Sequence, residues 1–210
     1  MHLLINNKSI NQFQQPILNL NMPEFENTSK VKLNDFDPSI GLDRGVSKFT
    51  EAIWYLFKIT FFLNPIPFPQ KLKAVLLRLF GAKVGKGTVI KPRVNIHMPW
   101  KLEVGDNTWI GEEVFILSFE LIKIGSNVCI SQRAFLCAGN HDYRDPAFKY
   151  RNGPITIEDG AWIGACCFVG PYVTVGTDTV VSASSVVTTK LKPNSIYRGN
   201  PLEFVKKRWD

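Results

Sequence analysis

The chain has little of what builds metal centres or disulfide frameworks: four cysteines and three histidines in 210 residues. Cys129, Cys137, Cys166 and Cys167 form no CxxC pair and have no histidines at zinc-ligand spacing, which argues against a zinc module. Cys166 and Cys167 are adjacent, and successive side chains of a strand point to opposite faces, so the two cannot readily bridge. All four read as small apolar fillers in a reducing compartment. No apolar run approaches the roughly 20 residues that cross a bilayer. Met1 to Met22 is rich in Asn and Gln and lacks a basic segment followed by an apolar core, so it does not read as a secretory signal and a cytoplasmic location is expected. Acidic residues are in deficit, 18 against 25 Lys and Arg, for a net charge of +7. That balance suits a polyanionic partner, whether nucleic acid, anionic lipid or a phosphorylated cofactor, and does not choose among them.

Residues 1–47 read as a polar arm, with neither helical nor strand period over 1–35. A helical segment over 48–81 follows. Lys48 to Leu63 is apolar around an interior Lys58 and ends at Asn64-Pro65, where proline stops a helix. It either packs on a core or lies in a membrane interface. A second amphipathic helix is expected from Gln70 to Phe80, with Leu72, Val75, Leu76 and Leu79 as its apolar stripe and Gly81 as its cap.

After Gly81 aliphatic residues recur every six positions, a period that marks a repeat architecture. The series are Val84, Ile90, Ile96, Leu102; then Val104, Ile110, Ile116, Ile122; then Ile124, Ile130, Leu136; and, after a gap, Ile157, Ile163, Val169, Val175, Val181, Val187. The register jumps by two at Leu102–Val104 and at Ile122–Ile124, read as short corner insertions. One inward aliphatic per six residues fits a prism of three flat faces, each strand pairing in parallel with the coil above at about 4.8 Å. Small residues such as Gly85, Gly105, Gly111, Gly125, Gly164 and Gly176 relieve crowding at the corners. The expected fold is an all-β solenoid over 82–192, with a helical extension before it and a basic tail over 193–210. The period carries no handedness.

The beat breaks between Leu136 and Ile157, leaving a polar, turn-rich excursion from Ala138 to Pro154. Long excursions from compact scaffolds are commonly functional. It holds His141, beside Asp142 and near Arg144 and Asp145. A loop histidine satisfied by a neighbouring carboxylate is the plain reading; the position on the one long loop of a repeat scaffold favours a base. His97 has no such loop and reads as structural or groove-lining, and His2 lies in the arm.

The segments Gly85-Lys86-Gly87, Ile90-Lys91-Pro92-Arg93-Val94-Asn95-Ile96, Gly139-Asn140-His141-Asp142-Tyr143, Asp159-Gly160-Ala161-Trp162-Ile163-Gly164-Ala165 and Gly199-Asn200-Pro201 together resemble the left-handed β-helix (hexapeptide-repeat) acyltransferases. Within these the resemblance is to the group that acetylates polysaccharide precursors, such as the colanic acid acetyltransferases. It implies a left-handed coil, a homotrimer with sites between subunits, acetyl-CoA as acyl donor with no tightly bound cofactor, and His141 as the catalytic base. It further implies that Trp162 lies near the thioester, that Ala165 and Ala183 meet the pantetheine arm, and that Thr188, Thr189, Lys206, Lys207 and Arg208 lie near the nucleotide phosphates. Lys206 to Arg208 could equally be a solvated tail, and Trp162 a corner aromatic that packs on a neighbouring subunit. Asn140, Asp142, Glu112 and Glu113 are the acceptor candidates. Galactoside- and maltose-type relatives use an upstream asparagine for the acceptor; the matching position here is Gly111, so a simple free disaccharide is disfavoured.

The expected reaction is acetyl transfer to a hydroxyl of a saccharide or lipid-linked saccharide in surface-polysaccharide precursor synthesis. An imidazole can take the hydroxyl proton near neutral pH, and a positioned base contributes about 10²–10⁴-fold. Transfer to an amino sugar and a non-enzymatic scaffold, membrane-associated through the first helix, are the alternatives. A zinc carbonic anhydrase on the same scaffold would need three histidine ligands, and the solenoid has only His97 and His141.

Overall fold

A computed structural model describes residues 29–210, of which Val31–Asp210 form one compact unit. The expected arm over 1–28, with His2, lies outside the described residues.

The six-residue beat becomes a left-handed parallel β-solenoid of about six turns with three faces. Face A stacks Lys83–Val84, Leu102–Val104, Ile122–Ile124, Ile155–Ile157 and Thr174–Val175. Face B stacks Val89–Ile90, Trp109–Ile110, Cys129–Ile130, Trp162–Ile163, Val180–Val181 and Ser195–Arg198. Face C stacks Asn95–Ile96, Phe115–Leu117, Phe135–Cys137, Phe168–Val169 and Val186–Val187. All seventeen in-frame aliphatics point inward, none more than 8% exposed. Their burial is the main driving force for the coil, because each short strand has only one side chain to bury and must stack to do so.

Three details refine the expectation. The two-residue jumps are corner insertions, and the aliphatics at each jump, Leu102 and Val104 like Ile122 and Ile124, share one strand and both face inward, two residues apart. The extra length sits before them, where the chain turns from face C to face A at Met98–Lys101 and again at 118–121. Second, most strand-exit glycines relieve crowding, as expected, without adopting positive φ. A Cβ on Gly164 would lie 2.5 Å from the Ala183 nitrogen, so stacking coils need its absence, while the left-handed corner positions go to Arg93, Asn107, Glu113, Asn127, Arg133, Cys166 and Ser184. Cys166 is therefore an exposed corner residue and not an apolar filler.

Third, 193–210 is not a loose tail. Glu203–Lys207 folds back antiparallel on Ser195–Arg198, through a turn with a cis Asn200–Pro201 peptide, and extends face B. The Arg208 guanidinium donates to the carbonyls of Gly160 and Asp178 at 2.9 and 3.2 Å, tying the hairpin to the corner between faces A and B.

Two helices cover the open end of the first coil. Helix α1 spans Lys48–Phe57, capped by the Ser47 hydroxyl at Thr50 N, and runs on into a π-helical stretch over Lys58–Phe62. Helix α2 spans Gln70–Leu79. Its expected stripe is wrong: Lys73, Ala74, Leu76 and Leu77 are buried, whereas Leu72, Val75 and Leu79 are exposed. The reason is the unpaired edge of the coil beneath, whose backbone groups require partners. Lys73 Nζ donates to the carbonyls of Ile90 and Lys91, both at 3.1 Å, and Arg78 donates to those of Val84 and Gly85. Gln70 Oε1 accepts from Ile90 N, and the Trp54 indole donates to Ile96 and His97. Each of the three faces thus receives a side-chain cap from a helix.

Candidate active site

The lengthened turn between faces C and A recurs in three successive coils and lines up His97, Phe119 and the Ala138–Pro154 excursion along one corner. The excursion is ordered by its own backbone: Asp142 N donates to Lys149 O, Arg151 N to Asn140 O, and His141 bridges Tyr150 antiparallel. Its polar side chains build the turn. Asp142 Oδ1 accepts from Arg144 N, Asp145 Oδ1 from Ala147 N, and Asn140 Oδ1 from His141 N. The Asp145 carboxyl is held below the usual carboxylate range by the Ala147 amide and by Lys149 at 3.1 Å. Asn140 and Asp142 therefore adjoin His141 in the fold, with at least one oxygen of each committed to the loop.

The His141 imidazole lies between the rings of Phe148 and Tyr150, each with its centroid 4.9 Å away, while Phe36 meets it edge-on at 5.4 Å. His141 Nδ1 faces the Phe148 carbonyl oxygen at 2.5 Å. A carbonyl only accepts, so Nδ1 carries the hydrogen and donates, which leaves the Nε2 lone pair as the basic site. None of these three aromatics was flagged in the sequence. Phe36 belongs to the expected arm, and the residues 31–47 around it pack along the excursion: Lys32 N donates to Pro146 O, and Asn152 Nδ2 to Gly41 O. No local pattern announces a ring brought in from over a hundred residues away.

The other expected residues lie elsewhere in the chain. Trp162 is an exposed residue of face B whose indole donates to Ser131 Oγ at 2.9 Å. Ala165 and Ala183 stack at the corner between faces B and C, where Ser184 N donates to Ala165 O. Thr188 and Thr189 follow the last strand of face C, on the same corner as His141 but in a later coil. Lys206 and Lys207 are exposed on the closing hairpin, whereas Arg208 is taken up by its two carbonyls. Glu112 and Glu113 sit at the turn from face B to face C, and the Glu113 carboxylate is engaged by Arg93 at 3.2 Å and Arg133 at 2.7 Å. These two arginines hold it below its ordinary range. Glu113 is thus, within one chain, a rung in a corner ladder, away from His141. Within one chain, then, the expected donor-binding residues are spread over face B, the closing hairpin and more than one corner.

No protein-family model matches the chain. Over 165 residues it is 39% identical to WcaF of Escherichia coli K12, a protein named as a colanic acid biosynthesis acetyltransferase, covering 79% of this chain and 91% of that one. The galactoside O-acetyltransferase of the same organism is 28% identical over 142 residues, covering 65% of this chain and 68% of its own. Among solved structures, the hexapeptide-repeat acetyltransferase VCA0836 of Vibrio cholerae superposes with a TM-score of 0.71 at 25% identity, covering 78% of this chain and 93% of that one. The same protein has been solved in complex with acetyl coenzyme A.

Proposed function

The chain belongs to the hexapeptide-repeat acetyltransferases and is an acetyl-CoA-dependent acetyltransferase, and on that premise we propose that it transfers the acetyl group to a saccharide hydroxyl in surface-polysaccharide precursor synthesis, with His141 as general base. The observation that carries the assignment of His141 is the contact of its Nδ1 with the Phe148 carbonyl. With Nδ1 as the donor, the neutral ring carries its lone pair on Nε2, the tautomer a base requires.

In this reading Nε2 takes the proton from the acceptor hydroxyl as the oxygen attacks the thioester carbonyl. A backbone N–H holds the tetrahedral oxyanion. The intermediate collapses, the C–S bond breaks, and the imidazolium returns its proton to the departing coenzyme A thiolate. No covalent acyl-enzyme is needed.

Trp162 on face B, and Ala165 and Ala183 at the corner between faces B and C, lie apart from His141 within one chain, which favours a site completed by a second copy of the chain, consistent with a homotrimer. Trp162 and the two alanines would line the acyl arm of acetyl-CoA, and Thr188, Thr189, Lys206 and Lys207 its phosphates; Arg208 and Glu113, committed within the fold, are left out. Asn140, Asp142 and Glu112 remain the acceptor candidates. A lipid-linked acceptor and peripheral membrane contact draw support from the exposed Phe49, Leu56 and Ile59 on the first helical segment and Leu79 on α2. No helix among the described residues is long and apolar enough to cross a membrane.

The test is acetyl transfer assayed over a panel of hydroxyl and amino saccharides. The wild type should acetylate a hydroxyl acceptor, and His141→Ala should lose about 10²–10⁴-fold in kcat with acetyl-CoA affinity kept. Full activity in the variant would rule out the mechanism, and preference for an amino sugar would make the enzyme an N-acetyltransferase.

A further inference from the structure

A cleft of about 460 Å³ opens beneath α1 on the same corner as His141, lined by Arg44, Lys48, Tyr55, Lys58, His97 and Trp100. Its charge is unbalanced. Arg44 is paired with Glu51 at 2.7 Å, and this carboxylate is the cleft's only acidic group among the described residues. Lys48 and Lys58 are left without a counter-charge. Lys58 is only 7% exposed, and among the described residues its Nζ makes no hydrogen bond; its one recorded partner is the face of the Tyr55 ring at 5.1 Å. Lys73, the other buried lysine, has two carbonyls on its ammonium. An ammonium on a largely buried side chain, open to the cleft and with no anion or acceptor of its own among the described residues, is a ready partner for an anion that enters.

A chain of ring contacts joins the cleft to the catalytic base. The His97 ring meets Phe119 at 5.2 Å, Phe119 meets Tyr150 at 5.8 Å, and Tyr150 stacks on His141 at 4.9 Å. His97 stands two coils below the His141 excursion, which at the spacing of stacked strands is about 10 Å along the solenoid. The walls between them are aromatic, with Trp100 and Tyr55 at the cleft itself. Aromatic faces suit the C–H surface of a sugar, and two lysines suit a dianionic group.

We propose that this cleft is the acceptor's anion subsite, and that the acceptor is a glycosyl phosphate or diphosphate whose phosphoryl group is held by Lys58 and Lys48 while a sugar hydroxyl reaches His141. The proposal rests on the reading that a saccharide hydroxyl is acetylated at His141, and adds to it the chemical class of the acceptor. Two net positive charges match a phosphoryl group better than the single charge of a uronate. A nucleotide sugar and a prenyl-diphosphate-linked sugar present the same chemistry to the cleft.

The experiment uses the full chain saturated with coenzyme A, so that the cofactor's own phosphate sites are filled, and measures binding of inorganic pyrophosphate by calorimetry. The wild type should bind it, Lys58→Met and Lys48→Ala should each weaken binding by at least about tenfold, and Lys123→Ala, on the exposed side of face A, should not. Lys58→Met has nearly the original shape and breaks no hydrogen bond among the described residues, so its thermal midpoint should not fall, which separates lost binding from lost folding. Transfer assays then compare a neutral sugar, a uronic acid sugar, a nucleotide diphosphate sugar and a prenyl-diphosphate sugar in micelles. Lys58-dependent preference for either diphosphate supports the proposal and identifies the source. Pyrophosphate binding that is absent or indifferent to Lys58, or a preference for the uronate, would overturn it while leaving His141-dependent transfer intact. Absence of transfer to every saccharide would instead defeat the underlying reading, with pyrophosphate binding still measurable.

Discussion

His141 owes its orientation to two neighbours in its own loop and one residue from the N-terminal segment. Its ring is clamped by Phe148 and Tyr150, and Nδ1 is anchored on a backbone oxygen that no side-chain substitution removes. Tyr150 is a positioning residue, so Tyr150→Ala should lower kcat by about 10- to 100-fold through misplacement of the imidazole. Affinity for acetyl-CoA, measured by calorimetry, should stay unchanged; a loss of affinity with kcat intact would contradict the role. His97 makes a different prediction. Burial first, then Lys58 and Arg44, hold its imidazole below the ordinary value, and Glu51 opposes them. The unfolded chain therefore takes up this proton at a higher pH than the folded chain does. Stability is lost as pH falls through about 6.5, the unfolded value, and the contribution is flat above about 7.5. Thermal midpoints recorded from pH 8 to pH 5 should drop less steeply for His97→Phe than for the wild type, and parallel curves would refute this account.

At the scale of elements, the helices are caps for an edge as much as apolar lids. That accounts for α2, which turns Lys73 and Arg78 inward and leaves Leu79 74% exposed. Counting apolar residues at helical spacing misses this, because the deciding groups are unpaired carbonyls in a coil formed later in the chain. The two buried lysines then predict opposite outcomes. Lys73→Met strands the carbonyls of Ile90 and Lys91 and should cost about 1–3 kcal/mol in chemical denaturation. Lys58→Met strands nothing among the described residues and should cost nothing. Equal losses in the two variants would show that buried charge, and not carbonyl capping, governs this end of the solenoid.

At the scale of the whole molecule, the expected donor residues on face B and the base on the corner between faces C and A do not meet within one chain. If adjacent copies complete the site, mixing inactive chains should restore activity. His141→Ala and Trp162→Ala chains, unfolded together in equal amounts and refolded, would form interfaces of which about a quarter carry both native residues in a random symmetric assembly. Recovery of about that fraction of wild-type transfer is expected, while either variant refolded alone stays impaired. Failure to recover activity in demonstrably mixed oligomers would mean that each chain carries its own complete site.

Much of this architecture was legible in the amino-acid order, for a local reason. A strand two or three residues long has one inward side chain to bury, so a stack of such strands writes its period directly into the sequence, and all seventeen aliphatics read from that period are core. The break in the period exposed the His141 excursion in the same way, since a polar stretch cannot lie on a buried face. Tertiary structure decided whatever depended on distant backbone. The aromatic clamp on His141, the tautomer set by the Phe148 carbonyl, the inward face of α2, the engagement of Arg208 and Glu113, and the unpaired Lys58 arise between segments separated by at least several residues and often by whole coils. Burial recurs with the repeat and can be read from it, but hydrogen-bond partners and counter-charges depend on which atoms the coiled chain brings together.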